Sequence, residues 1–313
     1  MPLFAVDKPL GMTSHDVVDA ARKVLGVRRV GHTGTLDPLA TGLLVVASHP
    51  HTKLIPFLSA DEKEYLAWIS FGATTPTLDA EGPVTEEAPV AFREGELKRA
   101  LETFLSLTEQ VPPAYSAVKV GGVRAYEAAR RGEAIELAPR PVRYHQVELL
   151  AFEPEPRPHR IAPGPEGWRL AERGRPVELP PPLGPYPTAI VRLVVGPGTY
   201  VRAFARDLGE RLGTKAFLSG LVRTRVGRVD LARAVPPERL LEGRIPEVEA
   251  LPFPTVELDH TEVRRVLEGV PLPIPAKGLV GLTDRRGNLV AVAEGDGFKL
   301  KIRRVFRPVE TGS

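Results

Sequence analysis

The sequence predicts an α+β protein. Segments of helical and strand periodicity are interleaved without the strict β-α-β alternation of a parallel sheet, and the chain beyond about residue 250 carries a hairpin signal instead of further alternation. A length of 313 residues suggests roughly two domains, and 42% hydrophobic residues suffice for a normal core.

Thr13 to Leu25 is expected to be helical, with Thr13 and Asp16 in capping-box spacing and Val17, Ala21, Val24 and Leu25 on one apolar stripe. Residues 31 to 44 then read as a glycine-rich loop running into an apolar strand. Tyr65 to Phe71 alternates as a largely buried strand. Leu97, Leu101, Phe104 and Leu105 mark a second amphipathic helix, and Ala125 to Arg131 a third that stops at Gly132. Residues 153 to 187 concentrate proline, including Pro180-Pro181-Pro182, and are expected to be an extended excursion between two strands. Ala189 to Val195 is a strand. A fourth helix begins near Val201, carries Phe204, Leu208 and Leu212 on one side, and stops at Gly213. In the tail, Leu279 to Leu282 and Leu289 to Ala293 flank Asp284-Arg285-Arg286-Gly287-Asn288, a hairpin signal. Phe298, Leu300 and Ile302 then alternate with Lys299, Lys301 and Arg303, giving one apolar and one basic face.

Composition excludes several function classes. With no cysteine, disulfides, thiolate nucleophiles and cysteine zinc sites are ruled out, and the seven histidines lack metal-ligand spacing. His49-Pro50-His51 is expected to be a solvated turn. No P-loop and no dinucleotide glycine triplet occurs. Nothing approaches the roughly 18 uninterrupted apolar residues of a membrane span, and the N-terminus lacks a basic region followed by an apolar run, so a cytoplasmic protein is expected. The 33 prolines, two methionines, absent cysteines and preference for arginine over lysine resemble a thermophile's chain. A net charge of +3 is small, but the basic residues cluster: Arg22, Lys23, Arg28 and Arg29; Arg223, Arg225 and Arg228; Lys299, Lys301, Arg303, Arg304 and Arg307. Such clusters either neutralise phosphates or form solvated faces.

The densest chemical signal is Gly31-His32-Thr33-Gly34-Thr35-Leu36-Asp37-Pro38-Leu39-Ala40-Thr41-Gly42. Pro38 biases Asp37 away from the helical region and the glycines supply backbone freedom, so one carboxylate is presented on a tightly shaped loop. By residue type alone, Asp37 is either a presented acid or a turn former bonding its own backbone.

This stretch resembles the signature of the TruB family of tRNA pseudouridine synthases. Asp7-Lys8-Pro9 with Gly11 and Thr13-Ser14, Lys63-Glu64-Tyr65, Gln110-Val111-Pro112-Pro113-Ala114-Tyr115-Ser116-Ala117-Val118-Lys119, and Gly198-Thr199-Tyr200-Val201-Arg202 follow in the family's order over most of residues 1 to 230. The resemblance implies a mixed, largely antiparallel sheet in a catalytic domain spanning 1–245, with 153–187 inserted, and a PUA-like RNA-binding domain over 250–313. A C-terminal barrel serving only stability is the alternative for the second unit.

The implied reaction breaks the N1–C1′ glycosidic bond of a uridine, turns the base and joins C5 to the same sugar carbon, without cofactor or metal. Asp37 is carried over as nucleophile or base; attack on the sugar, attack on the base and abstraction of the sugar's 2′-proton all remain open. Arg202 is implied as the cation that keeps Asp37 ionised. Tyr65 is implied as the aromatic that packs on the target base and assists proton removal at C5, and Leu221 as an apolar wall beside it. Ordinary core packing is the other reading of both. Tyr200 is implied to contact the base and would share a face with Arg202 were the backbone there extended. His32 is implied to hold the RNA around a flipped nucleotide, whose extrusion costs least in a single-stranded loop. Lys8 and Pro9 are expected to shape the loop under Asp37.

The implied partner is the T-arm stem-loop of tRNA, acted on by a stand-alone monomer that needs neither membrane nor protein partner. A non-catalytic tRNA-binding or folding factor and a guide-RNA-dependent pseudouridine synthase are the alternatives. The set of Asp37, Tyr65 and Arg202 favours catalysis, and the lack of a long lysine-rich tail favours the stand-alone form.

Overall fold

A computed structural model describes residues 3–306. Arg307, assigned above to the C-terminal basic cluster, lies outside the described residues, as does the end of the expected second domain.

The chain folds around a large mixed sheet. Its principal strands are β1 (Leu3–Lys8), β2 (Val30–His32), β3 (Ala40–Ser48), β4 (Lys63–Phe71), β5 (Tyr144–Glu153), β6 (Thr188–Val195) and β7 (Ala216–Val226). They lie side by side in the order β5-β6-β4-β7-β3-β1, with β2 also on β3. Every pairing among them is antiparallel except β7 with β3. Strand β4 sits between β6 and β7 and is buried throughout, which explains why its sequence reads as an almost continuous apolar run.

One face of this sheet carries Tyr65, Ala67, Ile69, Phe71 and Leu221. Two helices cover it, α2 (Glu94–Glu102) and α3 (Val201–Arg211), through Leu97, Leu101, Phe204 and Leu208. Helix α1 (Ser14–Leu25) packs Val17, Val18 and Ala21 against Phe4, Val6, Leu44 and Val46. Its ends follow the sequence: Thr13 and Asp16 form the reciprocal capping box, and Gly26 closes the helix at φ 64°. Such a cap contributes about 1 kcal/mol. The third expected helix runs Ala125–Arg130 and ends before Gly132.

The opposite face differs from expectation. Residues 153–187 are not merely an extended excursion: Arg160–Gly164, Gly167–Ala171 and Arg175–Pro176 form a three-stranded sheet. Ile161, Trp168 and Val177 from it are buried in one cluster with Leu66, Trp68 and Val222 of the main sheet. A buried ion pair anchors the tip. Arg192 donates to Glu64 at 3.0 Å and to the Glu166 carbonyl at 2.6 Å, while Glu64 accepts the Trp168 N–H at 3.1 Å. The density of proline obscured the apolar Ile161, Trp168 and Leu170 through which these short strands pack on the main sheet.

In the C-terminal part, Lys277–Thr283, Leu289–Asp296 and Leu300–Val305 form consecutive antiparallel strands, with Thr255–Glu257 parallel to the first. Helix His260–Leu267 packs on them through Val266. Phe298 departs from the expected apolar face. It precedes the last strand, in the turn after Gly297, and is 84% exposed, while Leu300 is fully buried. His49-Pro50-His51 is not a solvated turn either. His51 is buried, pairs with Glu247 at 2.9 Å and stacks on Phe306 at 5.7 Å, because the strand that ends at Val305 returns to this corner.

Candidate active site

The Asp37 loop is held from below by the first strand and helix. Ser14, at the start of α1, accepts the Leu36 N–H at 2.8 Å and donates to the Leu36 carbonyl at 3.0 Å. The Gly11 N–H donates to the Pro38 carbonyl at 2.8 Å, and the Ala40 N–H closes back on the Asp37 carbonyl at 2.9 Å. Lys8 is fully buried beneath the loop, where its ammonium donates to the carbonyls of Pro9 (3.0 Å), Met12 and Pro38 (3.4 Å). Burial pushes its pKa down to about 8, partly offset by Glu81, Asp37 and Asp16. Gly42, where the loop joins β3, has φ 101°, and a Cβ there would lie 2.4 Å from the Arg223 carbonyl. Only glycine fits between these strands.

Arg202 projects from the first turn of α3 to meet this loop. Its Nε lies 2.9 Å from Asp37 Oδ2, and its other nitrogens donate to the carbonyls of Thr77 (3.0 Å) and Tyr115 (2.8 Å). Arg202 is 7% exposed, so it is no surface arginine. The Asp37 side chain remains 38% exposed and available to a substrate. Tyr65 and Leu221 join Leu36 and Leu39, the apolar residues flanking Asp37, in one buried cluster, each 7% exposed. The pairing of Leu221 with Ala67 on β4, two residues from Tyr65, puts Leu221 and Tyr65 on one sheet face.

Tyr200 does not share an extended face with Arg202. It is the residue before α3, and Arg202 is already helical. Its position is set by Gln110, whose amide accepts the Tyr200 N–H at 2.9 Å, donates to the Tyr200 carbonyl at 3.1 Å and donates to the Tyr144 hydroxyl at 2.9 Å. His32 ends β2, half-buried at the start of the loop, and its Nδ1 is buried without a partner among the described residues. Burial, reinforced by the charge of Arg223, lowers its pKa and so favours the neutral ring. Arg223 does not form part of a phosphate-binding patch: it is 1% exposed and donates to the carbonyls of Leu43 (2.8 Å) and Gly34 (2.9 Å).

Sequence reasoning missed Asp79. Its carboxylate is buried 4.0 Å from the Arg202 Nε and accepts from the Thr77 hydroxyl (2.6 Å) and the Glu81 N–H (3.0 Å). Burial raises its pKa against those hydrogen bonds. Leu78 before it has φ 63°, the sole positive value among described non-glycine residues, in a turn tied to β7 by the Leu218 N–H at 2.9 Å. The signal available was Thr75-Pro76-Thr77-Leu78-Asp79, hydroxyls flanking an acid that needs partners.

A half-exposed carboxylate held by a buried guanidinium, beside an aromatic and an aliphatic wall, suits nucleophilic or proton-transfer chemistry on a flat ring. No group of side chains among the described residues could hold a metal ion, and no helix among them is long and apolar enough to cross a membrane.

Residues 22–162 match the family described as TruB family pseudouridylate synthase (N terminal domain). The chain is 71% identical to tRNA pseudouridine synthase B of Thermus thermophilus over 98% of this chain and 99% of that one. It is 48% identical to the protein of the same name from Deinococcus radiodurans, over 98% and 100%. Its fold is similar to that in the crystal structure of a Cbf5-Nop10-Gar1 complex, with a TM-score of 0.68 at 22% identity, covering 98% of this chain and 85% of the other.

Proposed function

We propose that this chain, which belongs to the TruB family and is an enzyme isomerising uridine to pseudouridine, takes as its substrate the T-loop uridine of tRNA, flipped out of the stem-loop. The tRNA in the names of its relatives supports the substrate class. The narrower choice of a splayed loop base rests on the lower cost of extruding it.

Asp37 is the chemical centre in this reading, and the observation that carries it is the 2.9 Å contact from Arg202. That guanidinium also bonds two backbone carbonyls, which fix its direction before any substrate arrives. Tyr65 and Leu221 wall the space for the base, Tyr200 lines its rim, and His32 supports the displaced RNA.

The experiment is conversion of an unmodified T-arm hairpin by wild type and by Asp37→Asn, with RNA binding followed in parallel. Conversion by wild type, lost in the variant while binding persists, is expected. Tight binding by folded wild type without conversion would overturn the stand-alone reading and favour a guide-dependent enzyme or a binding factor.

A further inference from the structure

Consecutive residues of β1 point to opposite faces of the main sheet. Leu3 and Ala5 are buried in the cluster that holds Ile161, Trp168 and Val177 of the proline-rich segment, while Phe4 and Val6 pack against α1. The same alternation carries Asp7 to the face of the proline-rich segment and Lys8 to the face of α1 and the Asp37 loop. From there Lys8 holds the carbonyls of Met12 and of Pro38, the residue after Asp37. On the other face Arg175 closes a two-pronged ion pair on Asp7: its Nε lies 2.7 Å from one carboxylate oxygen and its Nη2 2.7 Å from the other. No other side chain among the described residues bonds that carboxylate.

The three-stranded sheet of the segment is built to deliver this arginine. Gly174, before it, has φ 138°, and a Cβ there would lie 2.2 Å from the Ile161 carbonyl oxygen, so only glycine lets the chain close against Ile161, the partner of Arg175 in the sheet. Arg160 donates to the Gly174 carbonyl at 2.9 Å. Val177, two residues after Arg175, is buried against the main sheet, and its N–H donates to the His159 carbonyl at 2.8 Å. Arg175 is thus fixed on both sides along its own strand.

Resting on the assignment of Asp37 as chemical centre, we propose that Arg175 is a positioning residue for the isomerisation: its fork on Asp7 pins the end of β1 from one face, so that the neighbouring Lys8 holds the Asp37 loop in place from the other. The proline-rich segment is then a brace for the reacting carboxylate as well as a cover for the sheet. A fork suits this role, because two parallel charge-assisted bonds set an angle as well as a distance. The side chains of Arg175 and Asp7 keep 20% and 25% of their exposure, so the pair adds little to global stability and its removal leaves the fold intact. Positioning and folding can therefore be measured apart.

The test is single-turnover conversion of the T-arm hairpin by wild type, Arg175→Met, Arg175→Lys, Asp7→Asn and the double variant Asp7→Asn/Arg175→Met. Each is assayed well below its own thermal midpoint, with hairpin affinity measured alongside and Asp37→Asn as control. Arg175→Met should lose about tenfold in rate, less than the roughly hundredfold that a full misplacement of a reacting group brings. Its affinity should stay within about twofold, because Arg175 touches no RNA in this scheme. Arg175→Lys keeps the charge without the fork and should stay within about threefold of Arg175→Met. Asp7→Asn should lose as much as Arg175→Met, and the double variant no more than either, since all three break one contact. A pair that serves only the fold would lower the thermal midpoint and leave these rates at the wild-type value. The proposal is overturned by a wild-type rate in Arg175→Met, by full recovery in Arg175→Lys, by losses that multiply in the double variant, or by a loss that lies in affinity alone. Failure of the underlying reading looks different: wild type does not convert, or Asp37→Asn does.

Discussion

Arg202 reaches Asp37 through Nε at 2.9 Å while its terminal nitrogens are engaged by the Thr77 and Tyr115 carbonyls. All three contacts depend on a planar fork, which lysine cannot reproduce. Arg202→Lys is therefore expected to keep the positive charge yet lower the single-turnover rate by about a hundredfold, the loss that misplacement of a reacting group brings. Quench-flow kinetics on a T-arm hairpin check this; a rate within threefold of wild type would remove the fork from the explanation.

Gln110 is the residue through which the Gln-Val-Pro-Pro segment holds Tyr200. It bonds both backbone groups of Tyr200 and the Tyr144 hydroxyl. Gln110→Ala leaves the Tyr144 hydroxyl in apolar surroundings and frees the start of α3, from which Arg202 projects. A stability loss of about 1–3 kcal/mol is expected from the unpaired groups, with a rate loss of about tenfold. Denaturant unfolding and the same kinetic assay measure the two separately. An unchanged rate in a destabilised variant would show that Tyr200 is held by other means.

How much of this was legible in sequence depended on whether the cause was local. Helix α1 and its capping box are written into Thr13, Asp16 and the apolar stripe, and the Asp37 loop into its glycines and Pro38, because each uses neighbours a few residues apart. The pairing of Arg202 with Asp37 spans the chain and was reached through resemblance. Asp79 has no periodic context: its burial is imposed by β7, whose Leu218 bonds the residues on either side of it. Arg223 reads as surface charge beside Arg225 and Arg228. Only the parallel pairing of β7 with β3 drives it under the loop. Phe298 fits an alternation that the turn at Gly297 interrupts.

The proline-rich segment is a structural member of the core packed on the main sheet. Trp168 is 5% exposed, stands in the cluster with Leu66 and Trp68, and donates its ring N–H to Asp230. Trp168→Ala should cost about 3–5 kcal/mol, seen as a large drop in the thermal midpoint. Trp168→Phe should recover much of that loss by keeping the apolar volume. A midpoint within about 2 °C of wild type for the alanine variant, about 1.3 kcal/mol at this chain length, would show that the segment adds little to the stability of the main sheet.

Two buried lysines give stability an unusual dependence on pH. Lys63 donates to the carbonyls of Ser59 (3.0 Å) and Asp61 (2.8 Å), and burial, aided by Arg223, lowers its pKa to about 8, as burial does for Lys8. In the unfolded chain both titrate near 10.4. Between these values the unfolded state binds more protons than the folded one, so stability rises with pH across that window. Below about 8 both lysines are charged in either state and the full desolvation cost is present. The thermal midpoint is thus expected to climb from pH 7.5 to 9.5 as that cost is relieved, by at most ~2 kcal/mol per lysine. Lys63→Met removes one of the two groups and should show about half the climb. A midpoint that stays level or falls over this range in wild type would mean that both ammonium groups keep near-normal proton affinity, held by their carbonyl partners instead of penalised by burial.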